Sequence, residues 1–328
     1  MGSDKAPDPE IRGAILAART LDVRVHLVGP EDLLRPKLRE ALKLHGGGHR
    51  LPVFIVQASE WISMDDKAAL AVRSKRDSSM RVGLKMIREG RASGFVTAGN
   101  TGAAMATAKM VLGSLAGVDR PALATSLPTT TGYPCVLLDV GANVDSDPEN
   151  LVQFAIMGNA YSKNVLRVES PRVGLLSIGE EDGKGNSLTR DTLPLLRELP
   201  INFMGNVEGR DLFNGRCDVV VCDGFTGNVA LKTCEGTAKL LSVSLRESLK
   251  STVTSQVGAL LSRKAFMAFK KRLDYSEYGG AQLLGVRGAC IVGHGSSNER
   301  AVMNGIRVAA EFAEAEVASS IEAALASR

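Results

Sequence analysis

The chain has 328 residues, of which 44% are hydrophobic and 23% charged, and its net charge is +4. This is ordinary globular composition with enough apolar material for a large core. It excludes a low-complexity or membrane-spanning chain, because every apolar run is short and flanked by charge or glycine. Cys135, Cys217, Cys222, Cys234 and Cys290 lack CxxC spacing and lie mostly in strand-like runs, so buried free thiols are expected rather than zinc or disulfides.

Met1 to Glu10 lacks the basic-then-apolar order of a signal peptide, and a cytoplasmic protein is expected. The first helix carries Ile11, Ala14, Ile15 and Ala18 on one face. A strand would normally feed it, and none precedes it here, so an N-terminal strand is expected to be missing. A strand at Val23–Val28, a helix over Glu31–Leu44 and a strand at Val53–Val56 follow. His45 and His49, separated by glycines and without a nearby Cys or acid, read as a solvated turn rather than a metal site. Asp65-Asp66-Lys67 opens a short helix, and Asp77 or Ser78 caps another that carries Met80, Leu84 and Ile87.

Several strand ends share one arrangement: an apolar run, then glycine with a polar residue, then a helix. Phe95–Ala98 leads into Gly99, Asn100, Thr101 and Gly102. The strand at Cys135–Val140 closes on Asp139, Gly141 and Asn143. Arg172–Ile178 exits through Glu180 and Glu181 to Lys184, which stands between glycines as a mobile cation. Phe203–Val207 ends in Asn206, Glu208 and Arg210. Val219–Val221 leads to Asp223, Gly224, Thr226, Gly227 and Asn228, with Thr226 and Asn228 as candidate caps. Leu283–Val286 and Ala289–Val292 pair around a turn, and the second ends in His294, Gly295, Ser296 and Ser297. Unpaired amides at helix starts favour an anion such as phosphate. In a parallel sheet these exits would share one edge and form a polar crevice.

Beyond Lys232, leucines continue to Leu249, and a second apolar stretch runs to Phe269. Arg246, Lys250, Arg263, Lys264, Lys270, Lys271 and Arg272 oppose only Glu247 in this region. Residues 240–273 are therefore expected to protrude as a basic amphipathic helical pair from a single α/β domain spanning 1–328. Dimerisation is the expected use, with an acidic partner or anionic membrane at the basic tip. Nucleic acid is not expected, given few aromatics and no binding motif. A polar loop at 274–280 and an Ala/Glu-rich terminal helix complete the chain.

The segments MDDK (64–67), DSSM (77–80), AGNTGA (98–103), DRPAL (119–123) and LLDVGANVD (137–145) recur in order in one known family. So do GNVEGRDLF (205–213), CDGFTGNVALK (222–232), EYGGAQLLG (277–285) and HGSS (294–297). On these motifs the chain resembles the PlsX-type acyl-carrier-protein:phosphate acyltransferases. The resemblance implies a three-layer α/β/α fold similar to the isocitrate/isopropylmalate dehydrogenase and phosphate acetyltransferase group. It implies transfer of a fatty acyl group from acyl carrier protein to inorganic phosphate, giving acyl phosphate for phospholipid synthesis. It also implies a homodimer, peripheral membrane association, no metal or nucleotide cofactor, and a downstream membrane glycerol-3-phosphate acyltransferase as consumer of the product. Family chains usually begin with a strand and an aspartate ahead of Met-Gly; the resemblance implies that this strand and one polar crevice residue are absent here.

Such a reaction must orient phosphate as nucleophile and stabilise the oxyanion that develops on the thioester carbonyl. Lys184, Asn228 and His294 are the candidate catalytic residues. Gly99, Asn100, Thr101, Gly102, Asp139, Asn143, Asn206, Glu208, Asp223, Thr226, Gly227 and Ser296 are the candidate phosphate or substrate contacts. The seven bases from Arg246 to Arg272 would meet carrier protein or lipid. A nicotinamide dehydrogenase is the competing enzyme class, but no Gly-x-Gly-x-x-Gly follows a strand with an acid at the expected distance. A carrier-protein or membrane scaffold with a vestigial crevice is the non-enzyme alternative.

Overall fold

Apolar β-branched runs and amphipathic helices alternate along the chain, and the computed structural model resolves them into ten strands and thirteen helices among the described residues, 1–45, 51–273 and 279–328. For 270–273 only the backbone is described. The first half contains α1 (Asp8–Thr20), β1 (Val25–Gly29), α2 (Glu31–His45), β2 (Val53–Gln57), α3 (Ala68–Ser74), α4 (Ser79–Arg88), β3 (Gly94–Thr97), α5 (Thr101–Leu112), β4 (Ala122–Leu127), β5 (Cys135–Leu138) and α6 (Pro148–Asn164). The second contains β6 (Arg172–Leu176), α7 (Ser187–Arg197), β7 (Asn202–Val207), α8 (Asp211–Asn214), β8 (Val219–Val221), α9 (Gly224–Lys250), α10 (Val253–Leu261), α11 (Arg263–Leu273), β9 (Ala281–Leu284), β10 (Ala289–Val292), α12 (Glu299–Glu314) and α13 (Val317–Ala326).

Eight strands form one sheet in the order β3-β10-β9-β4-β5-β8-β6-β7, and β1 and β2 pair parallel as a second, two-stranded sheet. Because strand side chains alternate between faces, the large sheet builds a core on each side. Ala124, Val136, Leu138, Val219 and Val221 pack with α6 and α13 on one face. Leu123, Leu137, Val220 and Cys290 pack with α4 and α5 on the other. The layers are those of an α/β/α sandwich, as the sequence implies. The Ala/Glu-rich terminal helix expected from the sequence is divided into α12 and α13, and α13 is held down by Val317 and Ile321, both fully buried.

The sheet is mixed, not parallel. β4 runs antiparallel to both β5 and β9, and β9 antiparallel to β10. The cause is local: only residues 128–134 link β4 to β5 and 285–288 link β9 to β10, too few for the crossover that a parallel neighbour requires. β3, β4 and β10 therefore point one way and β5 to β9 the other. The expected single edge is thus replaced by two: β3 and β10 exit at one end of the sheet, and β5, β6, β7 and β8 at the opposite end.

Candidate active site

At the first end, β3 leaves the sheet through a turn that the chain itself ties down. Thr97 Oγ1 accepts from the Gly99 amide at 3.1 Å. Asn100 caps α5, its Oδ1 accepting from the Ala103 amide at 3.0 Å, while its Nδ2 donates to the carbonyls of Met64 and Asp66. Asn100 is therefore a brace between the turn and the 64–66 loop. Lys75 Nζ holds Asp66 Oδ2 at 2.6 Å, and this hydrogen bond keeps the Asp66 carboxyl below its ordinary range. Thr101 and Gly102 open the first turn of α5, where helix geometry provides their amides with no i−4 carbonyl. Small Ala103 and Ala104, both fully buried, let this helix sit close to the sheet.

β10 exits beside this turn, its Gly293 amide donating to the Thr97 carbonyl at 2.7 Å. His294 Nδ1 accepts from the Ser296 amide at 3.2 Å and lies 2.8 Å from Ser296 Oγ. Accepting at Nδ1 assigns the ring proton of a neutral His294 to Nε2. Ser297 Oγ donates to the His294 carbonyl at 2.6 Å. The N-terminal segment closes the group: Asp4 donates its amide to Gly295, and the Met1 carbonyl lies against Gly99. Thr97, Ser297 and this segment were outside the residues expected at the site, and the contact from residue 4 to residue 295 has no local sequence signal.

The opposite end gathers a second group. Asp139, fully buried, accepts at Oδ1 from the amides of Leu123, Gly141 and Ala142, and at Oδ2 from Asn143 N and Nδ2. Burial pushes this carboxyl up, while those donors pull it down. Asn143 Nδ2 also donates to the Pro121 carbonyl. Asp139 and Asn143 thus hold the β5 exit in shape. That exit supports the start of α9, because the Gly224 amide donates to Asn143 O at 2.8 Å.

The cap of α9 differs from expectation. Asp223 is the N-cap, accepting from Thr226 N at 2.8 Å and Thr226 Oγ1 at 2.7 Å. The shorter acceptor at the strand's very end wins, and the helix begins at Gly224. Thr226 and Asn228 are thus inside the helix, and the Gly224 and Thr226 amides are already engaged. Asn228 is exposed and its side chain faces Gly141.

Adjacent to it, β6 and β7 present Lys184, Asn206 and Glu208. Lys184 is exposed on its glycine-flanked loop, and buried Asn206 donates from Nδ2 to Glu181 O at 3.1 Å. Glu208 pairs with Arg210, and Glu180 with Arg216 and Arg210. The structure therefore brings Gly99–Gly102 together with His294 and Ser296, and separately brings Asp139, Asn143, Asp223, Thr226, Gly227 and Asn228 together beside Lys184, Asn206 and Glu208. Among the described residues no three His, Cys, Asp or Glu side chains cluster as a metal centre.

From the second group, α9 runs on for 27 residues, about 40 Å at 1.5 Å per residue. Its buried residues are Gly224 and Gly227, and α10 buries none. Leu240, Val253, Leu260, Leu261 and Met267 are 60–82% exposed, and Arg246, Lys250, Arg263 and Lys264 are exposed among them. The side chains of Lys270, Lys271 and Arg272 lie outside the described residues, as do most of the turn at His45–His49 and most of the loop expected at 274–280. Among the described residues no helix is long and apolar enough to cross a membrane.

Solved structures of similar shape share little sequence. A phosphotransacetylase from Streptococcus pyogenes superposes with a TM-score of 0.58 at 14% identity, covering 93% of this chain and 98% of that one. A 4-hydroxythreonine-4-phosphate dehydrogenase from Klebsiella pneumoniae gives 0.51 at 14%, covering 93% and 95%. These place the fold among phosphotransacetylases and dehydrogenases of one architecture. Sequence relatives are far nearer. The phosphate acyltransferase of Acidobacterium capsulatum is 69% identical over 98% of this chain and 94% of its own length. That of Koribacter versatilis is 64% identical over 98% and 90%. The profile of the fatty acid synthesis protein family matches residues 1–320, and with relatives this similar over nearly its whole length, the chain belongs to that family and to the phosphate acyltransferases within it.

Proposed function

We propose that this protein transfers a fatty acyl group from the thioester of acyl carrier protein to inorganic phosphate, yielding acyl phosphate for phospholipid synthesis. The carrying observation is 69% identity over 98% of the chain to a phosphate acyltransferase. A phosphate oxygen attacks the thioester carbonyl carbon; the C–O bond forms, the C–S bond breaks, and the carrier thiolate takes up the proton released from phosphate. No covalent intermediate on the protein is required.

The turn from Gly99 to Gly102 is the proposed phosphate seat, because the amides of Thr101 and Gly102 meet the positive end of α5 there. His294, aligned by Ser296, donates from Nε2 to the developing oxyanion or leaving thiolate. Asn228 and Lys184 stand at the other sheet end and are assigned to acyl-donor contact. The exposed apolar side chains of α9 to α11 pair two copies as a homodimer, while Arg246, Lys250, Arg263 and Lys264, with Lys270, Lys271 and Arg272, meet the acidic carrier or anionic lipid. This makes the protein a cytoplasmic enzyme that rests on the membrane, where a glycerol-3-phosphate acyltransferase consumes its product.

The test is acyl phosphate formation by His294→Ala, Lys184→Ala and Asn228→Ala proteins that retain their fold. His294→Ala is expected to lower turnover about 100-fold. Near-normal turnover in His294→Ala with loss in the other two moves the chemistry to the opposite end, and normal turnover in all three removes the site assignment.

A further inference from the structure

One apolar side chain joins the Gly99–Gly102 turn to the turn that carries His294. Met64 lies in the loop between β2 and α3, and its carbonyl accepts from Asn100 Nδ2 at 3.3 Å, which fixes it beside the start of α5. Its thioether reaches the neighbouring strand exit: Met64 Cε lies 3.1 Å from the point where a Cβ on Gly295 would sit. Further along the same segment, Ala68 Cβ lies 3.3 Å from the corresponding point on Gly102. Met64 is thus held by its backbone at one turn and touches the other with its side chain.

The loop that carries it is clamped. The Ser63 amide donates to Asp66 Oδ2 at 2.7 Å, and Lys75 Nζ donates to the same oxygen at 2.6 Å and to the Trp61 carbonyl at 3.0 Å. Ile62 is fully buried and anchors the loop, whereas Met64, two residues on, is 44% exposed. A single exposed methionine needs no explanation by itself. Its place gives it meaning, because an unbranched, polarizable side chain on a fixed backbone can adapt to a flexible apolar ligand.

Acyl transfer at this end of the sheet requires such a surface. A phosphate oxygen on the turn must come within about 3–3.5 Å of the thioester carbonyl carbon. The acyl carbons next to that carbonyl then lie among backbone amides and the polar side chains of Asn100 and Ser296, where an apolar wall is supplied by Met64.

We propose that Met64 is a specificity-determining residue of the acyl transfer, its thioether packing against the first carbons of the acyl chain beyond the carbonyl. This rests on the reaction and the phosphate seat proposed above. One side chain covers only the proximal methylenes, so the contact is gained between an acetyl and a hexanoyl group and grows no further toward dodecanoyl.

The experiment measures kcat/KM for acetyl-, hexanoyl- and dodecanoyl-carrier thioesters in the parent, Met64→Ser and Met64→Leu. The hexanoyl-to-acetyl ratio is expected to fall about tenfold in Met64→Ser, equivalent to losing the burial of roughly two methylenes, and to be retained in Met64→Leu, which keeps the apolar volume. An unchanged ratio in Met64→Ser overturns the proposal, whatever the dodecanoyl donor does, and an equal fall in both variants overturns the apolar contact. Carrier protein bearing ethyl, hexyl or dodecyl thioethers, which bind without reacting, gives the same ratios as dissociation constants. A parent that makes no acyl phosphate therefore fails the proposed reaction, while the binding ratios still decide the role of Met64.

Discussion

Gly227 in the first turn of α9 lies directly on the backbone of Asp139: a Cβ placed on Gly227 would sit 1.9 Å from the Asp139 carbonyl oxygen. This contact lets α9 start flush against the β5 exit, since backbone at that point cannot yield as a flexible side chain would. Gly227→Ala should destabilise the fold by about 3 kcal/mol through overpacking. Urea unfolding measures it, and a loss under about 0.5 kcal/mol would remove the close approach as a constraint.

Asp139 itself organises the same corner through its amide donors. Asp139→Asn replaces one accepting oxygen by an NH2 that faces N–H groups, leaving buried donors unpaired. A loss of about 2 kcal/mol is expected, together with faster hydrogen exchange at Leu123 and Asn143. An Asn variant as stable as the parent would show that the carboxylate is replaceable there.

Asn100 serves the other end. Asn100→Ala removes the α5 cap, expected to lower stability by about 1 kcal/mol, and frees the 64–66 loop from the turn. If phosphate sits on this turn, its KM should rise more than kcat falls. An unchanged phosphate KM with normal stability contradicts both roles.

The pair of Lys75 with Asp66 predicts a pH dependence. Hydrogen bonding from Lys75 lowers the Asp66 pKa from its ordinary 3.8. A carboxyl with a depressed folded pKa adds stability above its unfolded pKa and loses it as pH falls through the folded one. Stability should therefore drop below about pH 4, and drop less in Lys75→Met than in the parent. Parallel urea-midpoint curves for the two proteins between about pH 5 and pH 2 would contradict the pairing.

On the helical arm, Leu260 is 70% and Leu261 82% exposed. Replacing both by Glu should leave helicity unchanged and shift sedimentation from dimer to monomer, because two buried charges at an apolar interface cost far more than exposed ones. A parent that sediments as a monomer would rule out the arm as the dimer contact.

By itself the sequence marked most of the elements, the α/β class and the glycine-marked turns, because these rest on local periodicity, capping residues and composition, whereas α8 and the division of the terminal helix into α12 and α13 carry no such signal. Val219–Val221 reads as a strand buried on both faces and is one, and Gly99–Gly102 reads as a turn before a helix and is one. The grouping of the site was decided only by tertiary structure. Strand direction depends on which neighbour each strand finds, and the short links from β4 to β5 and from β9 to β10 reversed the sheet at its middle, dividing exits that look alike in sequence. The cap of α9 fell to Asp223 rather than Thr226 or Asn228 because backbone geometry at the strand end, not residue type, chose among three good caps. The contact of Met1 and Asp4 with Gly99 and Gly295 exists only because segments far apart in sequence meet in space.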